Sequence, residues 1–244
     1  MKYRTGKKPA RNDYRTIRFG DLLTPQIPAP PPSSDSLGRM AATLGIKDHI
    51  RDLFPLYGND VYGDCAVCAK WHLDTLSEGL LGRHTVAAEA DVIADYNRLS
   101  GGVDDGLVLL DVLTDWRKAT VRPILGFAKV DPRNLTHVKQ AINLFGALYV
   151  GMQMTAEAEA QFDAGKPWVP GTLQDDGHCV PALDYTPIGL LASTWGKFQP
   201  WTWAGWLQMV DECYIVLPAE AADPNFSPGF DSQKLLSLLP ALAA

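Results

Sequence analysis

Between Cys65 and Leu81, the apolar residues Ala69, Leu73, Leu76 and Leu80 recur at three- and four-residue spacing, which is the stripe of an amphipathic helix. Asp64 stands where a capping side chain belongs, and Gly82 stands where a helix stops. A second helix is expected from about Asp104-Asp105, carrying Leu109, Leu110, Leu113 and Trp116, and a third from Asn134, with Leu135, Val138 and Ile142 on one side. The period then changes. Ala147-Leu148-Tyr149-Val150-Gly151-Met152 is a short continuous apolar run, the signature of a buried strand. Residues 178–185, 188–194 and 213–217 read as further strands, and Pro181 predicts an edge or a bulge in the first of these. No internal repeat is evident. Helices followed by an antiparallel sheet is an α+β order.

The first 36 residues have a different texture. Lys2, Arg4, Lys7, Lys8, Arg11, Arg15 and Arg18 crowd the start, and residues 25–34 read PQIPAPPPSS, which favours an extended polyproline-type path. This predicts a basic, proline-rich arm over 1–36, read first as a solvated tail and otherwise as an electrostatic docking arm, dispensable for folding. A core domain is expected over 37–218, helical over about 50–145 and β-rich over about 146–218, with a tail over 219–244.

The chain has 244 residues, 46% of them hydrophobic, enough for one sizeable domain or two lobes sharing a cleft. Its net charge of -6 and pI near 5.3 give no indication of nucleic-acid binding. No run of about 18 apolar residues suggests a membrane span. No h-region marks a signal peptide. Four cysteines, Cys65, Cys68, Cys179 and Cys213, are too few for a disulfide scaffold, so a reducing compartment is expected.

Candidate chemistry starts at Cys65. A helix N-terminus and a nearby imidazolium both favour thiolate, the nucleophilic form. The turn-forming run Asn59-Asp60-Val61-Tyr62-Gly63-Asp64 before it allows an exposed cleft position. The Asn59 amide and the Cys65 backbone N–H are candidate oxyanion donors. His178, at the entry of an apolar strand in Gly177-His178-Cys179-Val180, is placed to reach across a cleft. Taken singly, each has a plainer account: a small buried cysteine and a hydrogen-bonded structural histidine. His49, His72, His84 and His137 read as surface or helix residues.

Together these segments resemble the papain-like cysteine peptidases. Asn59 stands where that family has a glutamine six residues before the nucleophile, Gly63 matches a motif glycine, and Cys65 matches the nucleophile. Gly177-His178-Cys179-Val180 resembles the family's His-Ala-Val strand. Ser193-Thr194-Trp195-Gly196 resembles its Asn-Ser-Trp-Gly, with Gly205-Trp206 in place of Gly-Tyr. The resemblance covers about residues 50–217 and extends more weakly to phage and prophage proteins with a similar arm. It implies a two-lobe fold, with the Cys-bearing helix packed on a C-terminal antiparallel sheet or barrel. It also implies Cys65 as nucleophile, His178 as base, Ser193 as the residue orienting His178, Asn59 at the oxyanion and Trp195 shielding the site. Ser193 departs from the family's asparagine, Asn59 from its glutamine, and Ala66 from the tryptophan after the nucleophile.

Cys65-x-x-Cys68 with His178-Cys179 offers zinc-compatible atoms, but neighbours on a strand point to opposite faces and should not share one ion. A thioredoxin-like pair lacks the strand that should precede it. Trp201 and Trp203 are read as packing rather than as a carbohydrate platform. No metal or cofactor is therefore expected. The leading expectation is a thiol hydrolase acting on a peptide or protein, located in the cytoplasm or a virion. The alternative is a catalytically weak or inactive papain-fold subunit, docked through the arm into a homo-oligomer or phage particle.

Overall fold

In the computed structural model, residues 3–46 and 48–243 are described; Lys2 of the basic cluster lies outside them. The chain order is β1 (Ile17–Arg18), α1 (Ser36–Leu44), α2 (Cys65–Leu80), α3 (Glu89–Ser100), α4 (Leu109–Arg117), β2 (Gly126–Val130), α5 (Leu135–Phe145), β3 (Leu148–Thr155), α6 (Ala158–Asp163), β4 (Leu173–Thr186), β5 (Gly189–Thr194), β6 (Lys197–Thr202), α7 (Trp203–Met209), β7 (Val210–Leu217) and α8 (Ser232–Leu238). Short 3-10 turns join several of them. The helix stripes read from sequence are α2, α4 and α5. Asn134 caps α5 by accepting from the His137 N–H at 3.2 Å.

The seven strands form one sheet in the order β1-β2-β7-β3-β4-β5-β6, parallel only between β1 and β2. Among the described residues no pairing joins β1 to β6, so of the expected sheet or barrel it is the open sheet that forms. Strand side chains alternate between faces. On one face, Tyr149, Cys179, Leu183 and Tyr214 pack against α1, α2 and α4. On the other, Val150, Met152, Val180, Ala182, Cys213 and Ile215 pack against α5, α6 and a cluster of tryptophans.

Helix α2 is buried on nearly every side and is the pivot of the helical layer. The Tyr149 hydroxyl of β3 donates to the Ala66 carbonyl at 2.8 Å, pinning the first turn of α2 against the sheet. That contact fixes where Cys65 sits.

Three expectations are corrected. The first 36 residues are not a peripheral arm: Ile17, Phe19 and Leu22 lie in the core, because β1 adds a strand to β2. Residues 219–244 are not a loose tail: Phe230, Leu235 and Leu239 are buried in the same core. For Pro181 the edge half of the expectation fails, since β4 lies between β3 and β5, and the bulge half holds, since the β4–β5 register shifts next to it. Pro181 faces Tyr149 on β3, while pairing with β5 extends only to Ala182, with a register shift before Asp184. Beyond Ala182 the two strands separate, and His178 lies in the part of β4 unpaired with β5.

Candidate active site

Cys65 is the first residue of α2, after Asp64, and is 1% exposed. The N–H groups of Cys179, Gly6 and Ala66 lie against its sulfur and favour thiolate, but burial dominates and pushes the thiol pKa up to about 12. The contact with Cys179 brings the thiol to the residue next to His178. His178 is fully buried, and burial lowers its pKa to about 3. Its Nδ1 has no hydrogen-bond partner, so no thiol–imidazole hydrogen bond is formed. Both groups are therefore neutral in this state.

His178 Nε2 is 2.7 Å from Thr194 Oγ1. The side chain at the imidazole is thus Thr194 and not Ser193. Ser193 is buried with its hydroxyl unpartnered, because its neighbour on β5 takes the face toward His178. Trp195 stacks on the His178 ring at 4.6 Å and 23°. It sits in the two-residue hairpin between Thr194 and Lys197, where both Trp195 (φ 46°) and Gly196 (φ 72°) are left-handed. A tryptophan at positive φ is uncommon, and packing against His178, Phe162 and Trp168 holds it there.

Asn59 is buried beside Asp64. Its Nδ2 donates to Asp64 Oδ1 at 2.9 Å and to the Tyr62 carbonyl at 3.2 Å. Both amide hydrogens point inward, leaving none for an oxyanion. The Cys65 N–H, at a helix N-terminus where backbone donors lack intrahelical partners, remains a candidate. Asp64 is wholly buried, and burial raises its pKa to about 7 against the opposing hydrogen bonds from Asn59 and Cys68. All four cysteines are free. Among the described residues no group of three or more His, Cys, Asp or Glu side chains could hold a metal ion.

The chain's own N-terminus lies over the thiol and the His178 strand. Gly6 N and Lys7 N both donate to the Gly177 carbonyl, at 3.1 and 2.9 Å. On the other side Leu107 N donates to Gly6 O at 2.8 Å, and Lys8 N to Leu107 O at 2.9 Å. Residues 6–8 therefore form a strap between β4 and the segment before α4. Only glycines let it pass: a Cβ on Gly6 would overlap the Gly63 carbonyl, and one on Gly106 the Gly6 carbonyl. Tyr3 stacks on the other side of Trp195 at 4.7 Å, and Trp195 Nε1 donates to Arg4 O at 3.3 Å. Arg4 pairs with Asp104, Lys8 with Asp105 and Arg11 with Asp111. Lys7 Nζ is 2.7 Å from Asp211 Oδ2 and 3.4 Å from Glu212 Oε1. Arg4, Lys7, Lys8 and Arg11, read as part of a solvated tail, are thus docked on this chain's own distant acids, whereas Arg15 pairs with Asp13 beside it. Sequence reasoning missed Thr194, Glu212 and the strap. Strand parity could have found Thr194; nothing local pairs Lys7 with residues some two hundred positions away.

No protein-family model matches the chain, and no curated protein matches it in sequence. Solved structures do. Xylellain, a cysteine protease from Xylella fastidiosa, aligns over 89% of this chain and 97% of its own, with a TM-score of 0.65 at 14% identity. Digestive procathepsin L 3 from the Tenebrio molitor larval midgut aligns over 83% of this chain and 76% of its own, with a TM-score of 0.54 at 12% identity. Neither comparison supports a phage origin. At these identities it is the fold that is shared, and the chain has the α+β fold of the papain-like cysteine proteases.

Proposed function

We propose that this chain is a thiol hydrolase of peptide or amide bonds whose cleft is closed by its own N-terminal strap. The observation that carries the reading is the juxtaposition of a helix-N-terminal Cys65 and the His178 strand, with Thr194 at the imidazole Nε2 and a peptide backbone already lying against the thiol. With the strap withdrawn, water and the helix N-terminus favour thiolate at Cys65, and His178 regains basicity. Cys65 then attacks the carbonyl carbon. The oxyanion takes the Cys65 N–H, and His178 delivers a proton to the leaving amine. Water, deprotonated by His178, hydrolyses the thioester and restores the thiol. Thr194 holds the ring, and Trp195 keeps water from the Nε2 side.

The covered thiol also favours the second reading, an inactive papain-fold subunit. The strap tells against it: main-chain hydrogen bonds, the buried Lys7 pair and the Tyr3 stack on Trp195 hold it, whereas the buried apolar residues of the N-terminus begin only at Ile17. A chain beginning at Pro9 decides between them. It should hydrolyse a mixed peptide library that the full chain leaves intact, and Cys65→Ala in it should be silent. A folded Pro9 chain with no hydrolysis, and with Cys65 no faster to alkylate than in the full chain, would favour the subunit.

A further inference from the structure

Lys7 is the one strap residue whose side chain leaves the backbone track and enters the protein. It is 2% exposed at the side chain, between Asp211 and a fully buried Glu212. Glu212 is fixed by the Tyr214 hydroxyl, which donates to Oε2 at 2.7 Å and leaves Oε1 toward Lys7. The space exists because position 151 is glycine: a Cβ there would overlap Lys7 Cε and lie 2.7 Å from Glu212 Cγ. The slot adjoins the nucleophile. Gly151 pairs with Cys179 on one side and Glu212 on the other, and Cys179 is the residue whose N–H touches the Cys65 thiol. Gly6, the neighbour of Lys7, touches it too. A side chain entering this slot therefore belongs to a residue flanking the one at the thiol.

We propose that the Glu212–Asp211 slot selects side chains for the site: through Lys7 it latches the strap, and once the strap leaves it takes a lysine or arginine of the substrate peptide. The proposal rests on the hydrolase reading for its substrate and on the geometry alone for the latch. A carboxylate buried as Glu212 is needs a cation beside it or must take up a proton. Burial does raise its pKa, against the Tyr214 hydrogen bond and the Lys7 charge. The geometry gives the cation by design, first from the chain itself and then from a substrate. An apolar side chain of similar length would leave that carboxylate unpaired, and an acidic one would repel it.

The test uses the full-length chain with Lys7→Glu, and Lys7→Gln as a milder second variant should the first lose its melting transition. Iodoacetamide should alkylate Cys65 at least tenfold faster in the variant than in the parent, by mass spectrometry. Peptide chloromethyl ketones, differing only in the residue next to the reactive one, should then label Cys65 in a graded way. Arg and Lys versions should lead Leu and Glu versions by at least tenfold after normalisation to the iodoacetamide rate. Adding Glu212→Gln should erase that preference. An unchanged iodoacetamide rate in both variants removes the latch, and equal labelling by all four peptides removes the selector; either overturns the proposal. Selective labelling without any peptide turnover keeps the slot and discards the hydrolase. Turnover without selectivity does the reverse.

Discussion

Ser193 and Thr194 are adjacent, and a strand allows only one of them to face His178. The antiparallel pairing of Ala182 with Ala192 puts even-numbered residues of β4 and β5 on one face, so His178 shares its face with Thr194. The sequence held this information in its parity, and a motif alignment that placed Ser193 on the family's asparagine hid it. That Cys65 opens a helix was legible, because a helix start is a local pattern; His178 was read at a strand entry, but β4 begins five residues earlier, at Leu173. The inward turn of Asn59 was not legible, since it depends on a buried carboxylate, Asp64, whose environment is tertiary. Two outcomes follow at this scale. In a strap-released chain, Thr194→Ala should cut kcat by less than the roughly 10²–10⁴-fold that general acid–base catalysis contributes, and Ser193→Ala should leave it near the parent. The second concerns pH. His178 and His72 have pKa values lowered by burial to about 3 and about 4, so their stabilising contribution is lost as pH falls from about 6.5 toward those values. Asp64, raised to about 7, has the opposite sign: its contribution is complete below its unfolded value near 3.8 and is lost as pH rises to about 7. Asp64→Asn should therefore raise the melting temperature at pH 8, and its curve should fall more steeply than the parent's between pH 7 and 4.

The strap is a different kind of object from the elements that flank it. It has no internal hydrogen bonds and no apolar stripe, so periodicity says nothing of it. Its structure comes from edges that others leave open: the Gly177 carbonyl on β4 and both backbone groups of Leu107. Its specificity comes from charge, with Arg4, Lys7, Lys8 and Arg11 each finding an acid far away in sequence. That is why composition alone pointed to a solvated tail. Exposed pairs such as Arg4–Asp104 and Lys8–Asp105 contribute little and are screened by salt. The close glycine contacts are the more sensitive part. Gly6→Val should expel the strap, because its side chain meets the Gly63 carbonyl, which as backbone cannot swing away. Alkylation of Cys65 in Gly6→Val should exceed that of the parent at any salt concentration, whereas added salt should accelerate the parent only modestly. A Gly6→Val chain that protects Cys65 as well as the parent would show that something other than the strap buries it.

At the scale of the molecule, the two ends of the chain hold each other. Leu23 bridges to Phe230, Thr24 N donates to Gly229 O at 2.8 Å, and Asp231 N donates to Leu22 O at 2.8 Å. Phe19 and Phe230 both pack edge-on against Phe145 of α5, at 6.2 and 5.6 Å between ring centroids. The α+β order was legible in the change of period along the chain, but this closure was not, because it joins segments more than two hundred residues apart and no local pattern pairs them. The consequence for truncation is specific. A chain starting at Pro9 loses the strap and keeps Ile17, Phe19 and Leu22, so it should melt cooperatively. A chain starting at Leu37 loses all three, and burial of such side chains stabilises by roughly 1.5–3 kcal/mol each against a domain total of about 5–15 kcal/mol, so it should be largely unfolded. The shared contact with Phe145 sharpens this further. Phe19→Ala and Phe230→Ala should each cost about 3–5 kcal/mol if the site relaxes little. Because both empty space beside the same ring, their combined cost should fall short of the sum by about 0.5–3 kcal/mol in a denaturant double-mutant cycle. Strict additivity would mean that the two termini are secured independently, each to its own part of the core, and that Phe145 only happens to lie between them.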